Sequence, residues 1–282
     1  MRGWFLQSST TFYGKPGATV ENLTIRFGPT RIWRYNGFGR DAPIEGTDNA
    51  TILLNLRGGW YVTVSQFRTF VRFNPDAYAG YTVQTTGTME PFVPPGKLSG
   101  TWGTTAGVST PVFRKFSGFV ELQERAVPIF PEAAEGHETR LTLSTHLRPT
   151  KSIRVEASNT YSRVTRARDN SEFARTIIPR IKVEYQPKRS LFFRTIAEYR
   201  SQRQSELVEP HAGLPLFADG SRRIADFAGL RLDWLFSYEP TPGTAVFLGY
   251  GTSLEDDHAF RGADLKRTSD GFFVKLAYQF RR

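Results

Sequence analysis

The chain of 282 residues has no cysteine, only two methionines and only four histidines. Without thiols, disulfides, thiolate metal sites and cysteine nucleophiles are all excluded. No apolar run approaches the ~20 residues that a membrane helix requires, and the mean hydropathy is -0.39. That lack bears on helices alone, because barrel strands carry lipid-facing side chains only at alternate positions. No nucleophile elbow, phosphate-cradling glycine loop or His-Glu-x-x-His pair occurs, so the chain is expected to be no enzyme and to hold no cofactor or metal. The opening residues Met1-Arg2-Gly3-Trp4-Phe5 lack the charged-then-apolar layout of an export signal. For an exported protein this predicts that an upstream segment is missing.

Aromatic residues are plentiful at 14%, and the formal charge is +10. Such a charge first suggests nucleic acid or an anionic surface. Its distribution argues against nucleic acid: bases lie one or two positions from acids, as in Arg154–Glu156, Lys182–Glu184 and Arg231–Asp233.

The clearest signal is strict period-two alternation in the C-terminal half. Phe272, Val274, Leu276, Tyr278 and Phe280 share one face, against Lys275, Gln279 and Arg281 on the other. Leu230, Leu232, Trp234, Phe236 and Tyr238 oppose Arg231 and Asp233. Ile177, Ile181, Val183 and Tyr185 oppose Arg180, Lys182 and Glu184. Leu191, Phe193, Thr195, Ala197 and Tyr199 oppose Arg194, Glu198 and Arg200, and shorter sets run through 140–147 and 153–158. A helix would scatter each set around its circumference.

Alternation alone does not say which face meets water. The segments run about 10–13 residues, nearer to membrane strands than to soluble ones. Connections alternate between short, at 148–152, 186–190 and 239–243, and long, near 123–137, 163–173, 202–224 and 253–270. In the N-terminal half, 4–14 and 18–27, 51–57 and 60–72, and 98–108 and 112–122 read as hairpins, with long loops at 29–49 and 73–97. The expected fold is all-β: an antiparallel up-and-down transmembrane β-barrel with about 13 strands in one domain over 1–282. An odd count fits an N-terminally truncated barrel, since single-chain bacterial barrels usually have even numbers.

Near the end, Leu230-Arg231-Leu232-Asp233-Trp234-Leu235-Phe236-Ser237-Tyr238-Glu239-Pro240 and Gly271-Phe272-Phe273-Val274-Lys275-Leu276-Ala277-Tyr278-Gln279-Phe280 carry a resemblance. Arg180-Ile181-Lys182-Val183-Glu184-Tyr185 and Arg57-Gly58-Gly59-Trp60 fit it too. The chain resembles the C-terminal β-barrel of the domain-of-unknown-function family 5916. Those outer-membrane proteins usually carry an upstream domain like the family-9 carbohydrate-binding modules. The resemblance implies a bacterial outer-membrane location and a link to carbohydrate through that upstream domain; it supplies no catalytic residues.

The expected sites follow. Arg140, Arg154, Glu156, Arg180, Lys182, Glu184, Arg194, Glu198, Arg200, Arg231, Asp233 and Lys275 would line a lumen. They would act as an anion-favouring pore lining or as a ladder of cross-strand ion pairs. Leu230, Leu232, Trp234, Phe236, Phe272, Val274, Leu276, Tyr278 and Phe280 would face lipid. Trp33, Tyr35 and Phe38, in an outer loop, are the candidates for ligand contact. Glu132, Glu135 and His137, like Glu255, Asp256, Asp257 and His258, read as solvated loop tips rather than cation sites. Expected partners are outer-membrane lipid, the barrel-assembly machinery and carbohydrate bound upstream, and no nucleic acid. The leading function is a non-enzymatic barrel that anchors, or serves as passage for, a carbohydrate-recognition module and admits polar or anionic solutes. The alternatives are a membrane-embedded hydrolase using Ser144 and His146, and a soluble β-sandwich binding module.

Overall fold

Every alternating segment pairs with its neighbour in chain order. The computed structural model describes residues 1–222, 225–260, 262 and 264–279. The strands are β1 (Arg2–Phe5), β2 (Ser8–Tyr13), β3 (Val20–Trp33), β4 (Glu45–Leu56), β5 (Trp60–Val71), β6 (Tyr81–Gln84), β7 (Met89–Pro91), β8 (Leu98–Ser109) and β9 (Phe116–Ile129). They continue as β10 (Ala134–Leu147), β11 (Ile153–Arg166), β12 (Glu172–Lys188), β13 (Leu191–Gln204), β14 (Leu216–Ala218), β15 (Ala225–Thr241), β16 (Thr244–Asp256) and β17 (Lys266–Ala277). Fourteen of them form one antiparallel sheet in the order β1-β3-β4-β5-β8-β9-β10-β11-β12-β13-β15-β16-β17, with β2 also on β3. As β1 and β2 lie end to end on β3, the wall is thirteen strands wide. Among the described residues no pairing joins β17 to β1 or β2. Among the described residues only short 3-10 turns interrupt the strands, and no helix is long and apolar enough to cross a membrane.

The strands outrun their expected ends at one side. The long loops expected at 29–49, 123–137 and 163–173 shrink to the segments between β3 and β4, β9 and β10, and β11 and β12. Beyond the apolar stretch the outward side chains turn polar while the ladder continues, so alternation stops signalling strand where strand persists. Arg31–Asp48 at 2.7 Å, Thr139 Oγ1 to Glu124 Oε2 at 2.8 Å and Arg203–Asp226 at 3.8 Å mark that change.

Register puts the apolar sets of all strands on one side. One row runs Ile25, Ile52, Val64, Ala106, Leu122, Leu141, Tyr161 and Ile177. Another runs Ile181, Ala197, Leu232 and Thr252. Along β12 the belt extends from Ile177 to Tyr185, about 26 Å of strand at ~3.3 Å per residue. That suits the ~25 Å apolar band of an outer-membrane barrel, given strand tilt. The belt is uncovered: Ile25 is 46% exposed, Ile181 44% and Phe272 65%. A sandwich would bury these side chains between two sheets, so the soluble β-sandwich alternative is overturned.

A charge placed on the two faces should therefore have unequal effects. Ile181→Arg is expected to weaken folding into phospholipid vesicles by about 2–4 kcal/mol, measured by urea titration. Thr142→Arg, on the opposite face, should cost less than about 1 kcal/mol. Equal penalties would refute the sidedness.

Candidate functional site

The face opposite the belt is polar. On its N-terminal side hydroxyls and amides pair across the strands, with Thr11 and Thr24 bonded at 2.9 Å, Asn55 Nδ2 donating to Asn22 at 2.7 Å, and Thr51 and Ser65 at 2.9 Å. Charges take over from β9. Glu138, nearly buried, accepts from Arg125 and Arg140, each at 2.6 Å, and from the Ser162 hydroxyl at 2.9 Å. Lys182 lies 2.8 Å from Glu156 and 3.3 Å from Glu184, Arg180 is 3.5 Å from Glu198, and Arg231 is 2.9 Å from Asp233.

All twelve expected lining residues lie on this face by register: Glu156 opposes Lys182, Glu184 opposes Arg154 and Arg194, Arg231 opposes Glu198, and Lys275 opposes Phe247. Eight are cationic and four anionic. The carboxylates are drawn into pairs, whereas Arg154, Arg194 and Lys275 have no carboxylate within 4 Å among the described residues. Arg200 donates to Gln202 at 3.0 Å. The face therefore combines an ion-pair ladder with a surplus of uncompensated cations.

Over one end of this face the long connections fold into a cap that sequence reasoning missed. Strands β14, β6 and β7 form a separate antiparallel sheet, although β6 and β14 lie far apart in the chain. Phe73, Tyr78, Val83, Phe92, Leu207, Leu216 and Ala218 make its apolar core. That core packs on Val71, Leu98, Ile129, Val164 and Ala174, all of which register assigns to the polar side. The loops thus fold inward over the polar face, away from the belt. Tyr78 anchors the aromatic cluster and donates its hydroxyl to the Phe130 carbonyl at 2.6 Å. Burial, together with the neighbouring Tyr81, pushes the Tyr78 phenol up to about 12.

Beneath the cap lies a buried ion pair. Glu132 is fully buried and receives Arg166 in a fork, with Nε at 2.8 Å from Oε2 and Nη2 at 2.6 Å from Oε1. Val208 N–H donates to Glu132 at 3.0 Å, and Arg166 reaches the Glu206 carbonyl at 2.8 Å and Ser171 Oγ at 3.2 Å. One pair ties together three connections. Glu132 was expected at a solvated tip with Glu135 and His137; its buried pairing with Arg166 corrects that reading. A cavity of about 510 Å³ adjoins the pair, with Lys97, Arg168 and His211 in its lining.

The remaining expected residues are placed as follows. Leu230, Leu232, Trp234, Phe236, Phe272, Val274 and Leu276 lie on the belt side, Tyr278 just past β17, and Phe280 outside the described residues. Trp33 and Phe38 stack edge to face at 5.3 Å, Trp33 Nε1 donates to the Asp41 carbonyl at 2.8 Å, and Arg2 covers the Tyr35 ring at 4.1 Å. Ser144 and His146 lie on the polar side, with His146 4.0 Å from Glu156. His258 meets Asp256 at 3.1 Å, and the described residues contain no cluster of three or more metal-ligating side chains.

An exposed apolar belt backed by a polar, capped face decides the architecture. The fold is that of an outer-membrane β-barrel. No family model matches the sequence, and no curated protein matches it. Two solved chains match in structure. One is OmpT, folded in vitro, an outer membrane protein of Vibrio cholerae, with TM-score 0.34, 8% identity and coverage of 98% of this chain and 95% of that one. The other is its trimer form, with TM-score 0.34, 9% identity and 98% coverage of each chain. Such a likeness carries no activity, partner or assembly over to this chain. The expectation that the chain is no enzyme is corrected here. Its ground was missing motifs, which exclude those motifs and not catalysis, and likeness to outer-membrane proteins named OmpT gives no ground to exclude it either.

Two outcomes test the cap. Glu132→Gln leaves the Arg166 charge buried and unpaired, which should destabilise the cap by about 3–5 kcal/mol. Tryptic cleavage at Arg168 should accelerate while the wall stays folded, and adding Arg166→Met should restore part of the protection. Tyr78 gives a pH dependence with a definite sign. Its folded-state phenol holds its proton more tightly than the unfolded phenol at 10.0, so its contribution is complete below pH 10 and is lost as pH rises towards about 12. Amide exchange in the cap should quicken over that window, and the step should shrink in Tyr78→Phe.

Proposed function

We propose that the chain works in the bacterial outer membrane as a barrel whose polar face encloses a route for small polar solutes, with a preference for anions. The observation that carries this reading is the cation surplus on that face, above all Arg154, Arg194 and Lys275, which have no carboxylate partner among the described residues. Rings of one sign on a pore wall favour solutes of the opposite sign.

Purified protein in planar bilayers should conduct, with a reversal potential in a salt gradient showing anions more permeant than cations. Arg154→Gln with Arg194→Gln should bring the permeability ratio towards one. Cation selectivity in the unaltered protein would sink the proposal.

A second reading has an observation of its own. The cap covers one end of the polar face, which suits a closed membrane anchor for a recognition module; the carbohydrate link rests on the resemblance to family 5916. On this reading the bilayer stays silent, both in the unaltered protein and after Glu132→Gln loosens the cap.

A further inference from the structure

At the end opposite the cap, where β9, β10 and β11 meet their short turns, the polar face carries a second hollow of about 420 Å³. Ser117, His146 and Glu156 line it in one register row, which Lys182 continues. Arg154 and Glu184 line it in the next row on the same face. Arg148, from the turn between β10 and β11, completes the charged side. Val112 and Phe113, from the turn between β8 and β9, supply an exposed apolar side.

The charges around this hollow are unevenly matched. Lys182 takes both carboxylates, at 2.8 Å from Glu156 and 3.3 Å from Glu184. His146 approaches Glu156 at 4.0 Å. Arg148 and Arg154 are exposed and have no carboxylate within 4 Å among the described residues, although register sets Arg154 opposite Glu184. With Lys182 included, three cations meet two carboxylates, and the two guanidiniums are left with donors to spare.

From this arrangement we infer that the hollow binds a small monocarboxylate with an apolar body, of the size of an arylalkanoate. Its carboxylate meets Arg148 and Arg154, whose planar forks match two oxygens, and its body lies on Val112 and Phe113. The volume is that of a small-ligand site, more than a bare inorganic ion fills. Glu156 and Glu184 set the charge of the ligand, because they repel a dianion such as phosphate more strongly than a monoanion. Short turns of outer-membrane barrels face the periplasm, so the solute is taken up or released on that side. The inference rests on the anion-favouring reading of the polar face and names a solute class for it.

The test is calorimetric titration of the full chain in a neutral maltoside detergent, with heats into empty micelles subtracted. Phenylpropionate should bind at least about tenfold more tightly than phenylpropionamide, the margin of one charge-assisted hydrogen bond. Acetate, which lacks the apolar body, and inorganic phosphate should each bind at least about tenfold more weakly than phenylpropionate. Arg148→Gln/Arg154→Gln should abolish the preference for acid over amide. Lys188→Gln/Arg189→Gln, on another short turn and outside the hollow, should keep it. The amide, held by the apolar side alone, should bind both variants as it binds the unaltered protein, which shows the hollow intact. Equal binding of acid and amide overturns the site, as does a preference that survives in the arginine variant or vanishes from both. Phosphate binding as tightly as the acid overturns the assignment to a monocarboxylate. Anion-selective conductance without the acid preference sinks the site alone, whereas cation-selective conductance sinks the reading of the face beneath it.

Discussion

A backbone polar group in hydrocarbon has no solvent partner, so a wall inside lipid must satisfy every amide through its own ladder. Much of the arrangement follows from that constraint. A one-residue slip would turn a strand's apolar set inward, and the register holds across the whole belt. The irregularities fall between Val20 and Asn22, Thr69 and Phe70, Val164 and Thr165, Tyr185 and Lys188, Tyr238 and Thr241, and Ser253 and Leu254. Each lies at a strand end, where water can reach a broken pair. Pro179 is the instructive contrast. It has no N–H to give, and pairing with β13 lapses between Ile177 and Arg180. Asn159 stands opposite, on the belt side, with its Oδ1 buried and unbonded. The ladder is weakest where its donor is missing.

The same constraint inverts the usual distribution of apolar side chains. Among the described residues the buried apolar cluster belongs to the cap and the few wall residues under it. The polar face is held by hydrogen bonds and charge pairs whose members are mostly half-exposed, such as Arg180–Glu198 and Arg231–Asp233. Pairs of that kind are worth little singly. Their role is to let charged residues occupy a crowded surface without mutual repulsion, while the ladder supplies the cohesion.

The legible part of the fold was the part written in period two. Leu230 to Tyr238 and Phe272 to Leu276 disclosed strands, faces and neighbours because each residue's environment is decided by its parity. Strand ends were less legible: from Leu141 back to His137 both faces are polar, and a paired strand then looks like a loop. The cap was invisible for a different reason. Its bonds join Tyr78 to Phe130, Glu132 to Arg166 and β6 to β14, across separations that no local pattern encodes. A signal was nevertheless present. Tyr78, Val83, Phe92, Leu207 and Leu216 are large apolar residues in stretches read as Gly- and Pro-rich loops, and loops that stay in water have no need of them.

The buried Glu132–Arg166 pair makes sense against this background. A buried ion pair is seldom more stabilising than an apolar pair of similar volume, because two charges lose their water. Here the alternative is not an apolar pair alone. The connections beneath the cap leave backbone groups outside any ladder, among them the Val208 N–H and the Glu206 carbonyl, and two leucines in place of the ions would leave both unpaired. Glu132 accepts from the first and Arg166 donates to the second, while their fork satisfies most of what remains on each. The pair acts as a branched substitute for a strand, carrying hydrogen bonds between connections that cannot run parallel. The rule that orders the wall therefore extends to its irregular end: each buried backbone group must be met, by a neighbouring strand where one runs alongside and by a charged side chain where none does.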